Sequence, residues 1–160
     1  SMRHIEDVNI VTCIDNKSEH YAKLSSRTLR QFVPIGLQSL DRVTAVNIFT
    51  SILSSHACNW PSSIAPKLGN LAEAVFDLYH AVRTRFRPTP IKVQYCFSQK
   101  SMFKLVNALT RVEGNYPSSA TRLTRLFFHE AMRQFADLTL MKHDRTWFFN
   151  ELKRVCKANL

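Results

Sequence analysis

Glycine is scarce in this 160-residue chain: Gly36, Gly69 and Gly114 are the only three. None begins G-x-x-x-x-G-K-[ST], so no loop of this chain has the pattern that cradles a nucleotide's phosphates. The four cysteines, Cys13, Cys58, Cys96 and Cys156, lie far apart and form no C-x-x-C pair, which excludes zinc knuckles and thioredoxin-type redox motifs. Nothing points to secretion, so reduced thiols in the cytosol are the expectation. No apolar run reaches the 18 or more residues of a membrane-spanning helix, and the start lacks the basic-then-apolar pattern of a signal peptide. The opening Ser1-Met2 has the look of a cloning scar, which suggests a piece excised from a longer chain. Acid is also short: 12 Asp and Glu face 22 Lys and Arg. That imbalance suits a polyanion partner, or a basic face that meets a neighbour in a larger assembly.

What is present is a 45% hydrophobic chain, an ordinary content for a domain that buries a core. The β-branched run Val8 to Ile14 predicts a short buried strand stopping at Asp15-Asn16, and Phe32 to Leu37 a second one. Two strands cannot make an independent sheet, so they should complete a sheet begun elsewhere. Such a severed edge could pair with a second copy. Helical spacing dominates thereafter. Asp41 is placed to cap a helix with Val43, Val46, Phe49, Ile52 and Leu53 on its apolar side. Asn59 to Pro66 reads as a loop. Leu71, Val75, Leu78, Val82 and Phe86 mark a second helix that Pro88 and Pro90 end. Ser98 caps a third, carrying Met102, Leu105, Val106 and Leu109; Gly114 to Pro117 breaks the chain; Ser118 or Ser119 starts a fourth; and Asp144 caps a fifth, with Phe148, Leu152 and Val155. The expected fold is mainly α: about five helices preceded by two short strands.

His129-Glu130-Ala131-Met132-Arg133 comes one residue short of the HExxH zinc-protease helix. That chemistry needs a second histidine at i+4, so that both imidazoles reach one metal. Arg133 stands there, and its guanidinium stays protonated and repels a cation. The helical wheel instead places Leu123, Phe127, Phe128, Ala131, Phe135 and Leu138 on one half and Arg125, His129, Arg133 and Asp137 on the other. The segment thus reads as a packing helix with a charged seam, in which Glu130–Arg133 and Arg133–Asp137 are reachable pairs. Phe127 and Phe135 are expected in the core, and no metal ligand is assigned. Arg27 and Arg30, three apart before the second strand, are candidates to stabilise phosphoryl-transfer charge in an adjoining subunit, or simply a basic linker.

Four blocks, in order, resemble dynein heavy chain AAA+ modules. Arg27 to Phe32 is similar to R-F-x-R-H-F, and Pro88 to Lys100 to P-T-P-x-K-S-H-Y-x-F-N-L-R. Arg125 to Asp137 resembles R-L-W-x-H-E-x-x-R-V-F-x-D, and Asp144 to Phe149 matches D-R-x-W-F-F. Together they resemble the C-terminal part of the third AAA+ module of a dynein heavy chain or a divergent relative. The resemblance implies that residues 1–40 are the tail of the large α/β subdomain, with the sensor-1 strand, an arginine-finger linker and the last strand. Residues 41–160 would be the helical lid, with Trp147 in its core beside Phe127 and Phe135. It implies that Arg27, with Arg30 as its neighbour, reaches the nucleotide of the preceding module, and that Lys100 meets the γ-phosphate of the module's own ATP. ATP or ADP with Mg would then bind only in the intact module, and the fragment would not hydrolyse ATP by itself. The implied partners are neighbouring AAA+ modules and, through the parent, dynein-complex subunits and microtubules, in the cytoplasm, the cytoskeleton or a cilium. No membrane is implied. The sequence departs from the pattern at Gln31 and Gln94, where the family has histidine, at Phe127, where it has tryptophan, and at Lys100, where it has arginine. A Gly-Pro-rich turn after the sensor-1 strand is absent. The competing expectation, from charge alone, is a basic helical module that binds nucleic acid or another polyanion. Against it, the aromatics fall at core spacing and not as base-stacking platforms.

Overall fold

A computed structural model describes residues 7–14, 25–57, 60–112 and 116–160. The turn expected at Asp15-Asn16, Cys58, Asn59 and Gly114 lie outside the described residues. The chain divides into two units, before and after the Gln38–Ser39 junction. In the first, Ser26–Leu29 forms one helical turn, α1. Ser25 caps it: its hydroxyl accepts from the Thr28 amide at 3.3 Å and lies 2.9 Å from the Thr28 hydroxyl. A serine three residues before a threonine is a good local start signal. A single turn has no apolar periodicity, so hydrophobic spacing leaves it indistinguishable from a linker.

Neither Val8–Ile14 nor Phe32–Leu37 forms a strand, and among the described residues no strand is present. A strand exists only through a neighbour that takes up its N–H and C=O groups, and among the described residues these apolar runs have none. Val8, Ile10, Val11, Val33, Ile35 and Leu37 are accordingly exposed. The strand edge expected to pair with a second copy is therefore not formed.

The second unit holds five helices: α2 (Arg42–His56), α3 (Leu68–Arg85), α4 (Gln99–Thr110), α5 (Ala120–Phe135) and α6 (Lys142–Asn159). α3 is central and packs against α2, α4 and α6. Contact on several sides explains why Leu71, Ala72, Ala74, Val75, Leu78, Tyr79 and Val82 are all buried, a wider arc than a one-sided helix would show. Arg42 pairs with Asp77 and, at 3.2 Å, with Glu73, which clips the start of α2 to α3. α4 turns Met102, Leu105, Val106 and Leu109 inward, and α6 turns Phe148, Leu152 and Val155 inward. Ser119 caps α5 by accepting from the Arg122 amide.

Three local expectations change. Val43 is 67% exposed and Ala45 takes its place in the core, because α2 meets α3 one residue further round. Leu138 is 40% exposed because α5 ends at Phe135 and Ala136–Leu138 tightens into a 3₁₀ turn, where the 100° wheel no longer applies. Asp144 does not cap α6. The helix starts earlier, with Met141 at its N-cap, and Asp144 is a buried residue of the first turn.

Rings bind the far end of the bundle. Phe86, at the end of α3, meets Trp147 at 5.1 Å and Tyr95 at 5.2 Å; Phe97 meets Phe135 at 5.7 Å; Phe135 meets Phe148 at 6.1 Å. Phe127 and Phe135 are fully buried, and Trp147 is half-buried against the core. Burying each such phenylalanine contributes about 2–3 kcal/mol, and each well-placed ring pair about 0.5–1.5 more.

Candidate functional site

The segment joining α3 to α4, residues 86–98, carries two prolines and is anchored by charge. Pro88 and Pro90 bracket Thr89, whose carbonyl accepts from the Lys92 amide at 2.9 Å in a tight turn. The turn carries the Lys92 ammonium to α6, where it donates to Asp144 Oδ2 at 2.8 Å. The Tyr95 hydroxyl donates to the same oxygen at 2.8 Å and accepts from the Leu140 amide at 3.1 Å. His143 Nε2 lies 3.0 Å from the other carboxylate oxygen, and Lys92 also sits 5.2 Å from the centre of the Tyr95 ring. Asp144 is 5% exposed. Burial alone would push its carboxyl pKa up, but hydrogen bonds from Lys92 and Tyr95, with the charges of His143 and Lys92, hold it below the ordinary value. In the same loop the amide nitrogen of Gln94 is buried with no hydrogen-bond partner.

This clasp was not foreseen, and it joins three of the four sequence blocks. Lys92 and Tyr95 come from the second block, Asp144 from the last, and Phe97 of the second packs on Phe135 of the third. A signal existed: Asp144, Phe148, Leu152 and Val155 share one stripe, and a carboxylate on an apolar stripe needs a buried partner.

The clasp fixes the approach to α4, and Lys100 is the second residue of that helix. Lys100 is exposed, and among the described residues it has no ion-pair partner. No acidic residue lies in this first turn, and Ser98 makes no side-chain capping bond. A cation there opposes the positive end of the helix dipole, so local stability does not account for it. Amide N–H groups and an ammonium together suit an anion.

Arg27 lies in α1 and Arg30 is its C-cap. Three residues apart on a helical turn, they share one side of it. Both are exposed, and neither has an ion-pair partner among the described residues. The structure thus brings Arg27 and Arg30 together in the first unit, while Lys100 belongs to the second.

On α5, His129 is exposed and 3.8 Å from Glu130, which also receives Arg133 at 3.4 Å. Asp137 falls in the 3₁₀ turn beyond the helix. The basic-module alternative is not favoured: the rings that base stacking would require, Phe49, Phe86, Tyr95, Phe97, Phe127, Phe135 and Phe148, are buried. Among the described residues no helix is long and apolar enough to cross a membrane.

Comparison with known proteins bears on the identity of this bundle. A family model described as "Dynein heavy chain, ATPase lid domain" matches residues 48–145. Dynein axonemal heavy chain 2 of Mus musculus is 26% identical over 138 residues, covering 86% of this chain and 3% of that protein. Dynein axonemal heavy chain 1 of Homo sapiens is 25% identical over 170 residues, covering 96% of this chain and 4% of its own length. A flagellar relative, "Dynein-1-beta heavy chain, flagellar inner arm I1 complex" of Chlamydomonas reinhardtii, is 22% identical over 151 residues, covering 94% of this chain and 3% of its own. The chain therefore spans only a few per cent of the length of these curated relatives.

Proposed function

This chain belongs to the dynein heavy chain ATPase lid domain family, and from that premise we propose that it is the nucleotide-sensing lid of one AAA+ module, the third, in a dynein-type heavy chain. Residues 1–40 would be the tail of the large subdomain and residues 41–160 the lid. The parent would be an ATP-driven motor for microtubule-based movement, in the cytoplasm, the cytoskeleton or a cilium or axoneme. This piece would be a mechanical and sensing part of it. ATP or ADP would sit between lid and large subdomain, with Mg held by residues outside this chain. Neighbouring modules of the same heavy chain are the direct partners.

The observation that carries this reading is the exposed Lys100, without an ion-pair partner among the described residues, at a helix start that opposes it. Its ammonium is free to meet a γ-phosphate, as a point charge where an arginine would offer a planar fork. Arg27 and Arg30, likewise without ion-pair partners among the described residues, would meet the nucleotide of the preceding module. When bound, the nucleotide supplies the charge whose change on hydrolysis the lid reports. The chain's own residues only hold it: Lys92, Tyr95 and Asp144 fix the loop from which α4 and Lys100 project.

The test uses the intact module, made by joining the upstream large subdomain to this chain. Calorimetric titration with a non-hydrolysable ATP analogue and with ADP compares wild type with Lys100→Ala. A lost contact to a charged phosphate should weaken the ATP analogue about tenfold or more and leave ADP unchanged. Equal losses for both nucleotides, or none, would sink the assignment. Phosphate release by the 160-residue chain alone should stay at background; turnover that Lys100→Ala abolishes would refute the non-catalytic reading.

A further inference from the structure

On the side of α6 away from the buried stripe, α5 and α6 leave an open groove of about 500 Å³. Met132 of α5 and Lys142, Arg145, Thr146 and Phe149 of α6 line it. The α6 residues recur at three- and four-residue intervals, so they form one stripe. Its floor is apolar and set: Phe149 meets Phe128 of α5 edge-on at 5.5 Å. Its rim is basic: Lys153, one turn on, stands over the Phe149 ring at 4.3 Å. Among the described residues no carboxylate lines the groove. Asp144 is turned inward to Lys92 and Tyr95, and Glu130 and Glu151 are taken by Arg133 and Arg154.

Lys142 and Arg145 lie in or beside the first turn of α6, where cations oppose the helix dipole. Both are exposed, and among the described residues neither has an ion-pair partner. The chain just before them keeps three large apolar side chains in water: Leu138, Leu140 and Met141. Folding of this unit explains neither the unpaired cations nor the wet apolar residues. A partner with acidic flanks and an apolar centre would explain both.

We propose that this groove docks an acidic amphipathic helix of a protein partner, its apolar face on Met132 and Phe149 and its carboxylates on Lys142, Arg145 and Lys153. A groove between two helices admits the apolar stripe of a third, read as anchors at helical spacing. The inference does not rest on the nucleotide reading, since it uses neither Lys100 nor α1.

The probe is a labelled synthetic peptide of about 15 residues, long enough to hold a helix. It carries Leu and Phe at helical spacing and Glu and Asp on both flanks. Fluorescence anisotropy should show saturable binding in the micromolar range, and a scrambled peptide of equal composition should bind much more weakly. Lys142→Glu with Arg145→Glu should lower affinity about tenfold or more. It should not unfold the chain, because acids suit a helix start. Thr146→Trp, which fills the groove without changing charge, should also abolish binding, with circular dichroism confirming an intact fold. Equal binding of the scrambled peptide would overturn the proposal. So would unchanged affinity in Thr146→Trp, or tighter capture of phosphatidylserine vesicles or random duplex DNA than of the peptide.

Discussion

Replacing Asp144 by alanine should cost far more than a surface carboxylate is worth. Its Oδ2 accepts from Lys92 and Tyr95, both at 2.8 Å. A hydrogen bond to a charged group contributes about 1.5–3 kcal/mol, and a stranded buried donor costs about 1–3. The two donors differ in what they do once the acid is gone. The Lys92 side chain is 25% exposed and can turn to water. Tyr95 is 2% exposed, and among the described residues its hydroxyl donates to Asp144 alone. Removing the carboxylate also recovers its own desolvation penalty. The net expectation is about 3 kcal/mol. For a unit of this size about 1 kcal/mol moves the midpoint by roughly 4 °C, so Tm should fall by about 12 °C. Tyr95→Phe, which also strands the Leu140 amide, should cost about 2 kcal/mol. The double variant should lose less than the sum by about 1 kcal/mol, since each change removes a bond the other has already lost. Urea unfolding followed at 222 nm measures all three. A loss below about 1 kcal/mol for Asp144→Ala, or strict additivity, would mean the clasp is a solvated surface pair and the reasoning is wrong.

Three further outcomes follow from the same geometry. Because the folded Asp144 carboxyl titrates below its ordinary 3.8, its contribution is complete above that value and drains away as pH falls through the folded pKa; stability profiles should fall in that acid window, and Asp144→Asn should flatten the fall. Lys100→Glu should leave the isolated chain equally or slightly more stable, by up to about 1 kcal/mol, by relieving the charge at the start of α4; clear destabilisation would show that Lys100 is held by a contact within the bundle. Burial pushes the Cys156 thiol up to about 11, whereas Cys13 and Cys96 are exposed. Iodoacetamide at mildly alkaline pH should therefore label Cys13 and Cys96 well before Cys156, as peptide mass mapping will show.

The helices were legible where one face packs on one neighbour. Met102, Leu105, Val106 and Leu109 on α4, and Phe148, Leu152 and Val155 on α6, are buried as their spacing requires. Val43 and Leu138 misled because the sequence does not say where α2 meets α3 or where α5 tightens into a 3₁₀ turn. The two strands were read from β-branched composition, yet a strand needs a partner that the described residues do not supply. The clasp was invisible for a related reason. Asp144 stands 49 residues from Tyr95 and 52 from Lys92, and no local pattern carries a pairing over that separation. Lys100 was singled out by resemblance to a family pattern, and Arg27 and Arg30 by their spacing before the second expected strand; that none has an ion-pair partner among the described residues is something spacing alone does not predict.

The packing of α6 on α3 has a consequence for the order of assembly. α2 pairs with α3, and α4 with α5, each across a short connection, whereas α6 must return over two intervening helices to reach α3. Helices joined by short loops close quickly, and distant pairings close last. A chain emerging from a ribosome would therefore hold α2 to α5 while the side of α3 destined for α6 stays uncovered. During that interval the Tyr95 hydroxyl lacks its acceptor and Phe86 lacks Trp147. α6 thus acts as the bolt of the bundle, closing the side of α3 that the earlier helices leave open.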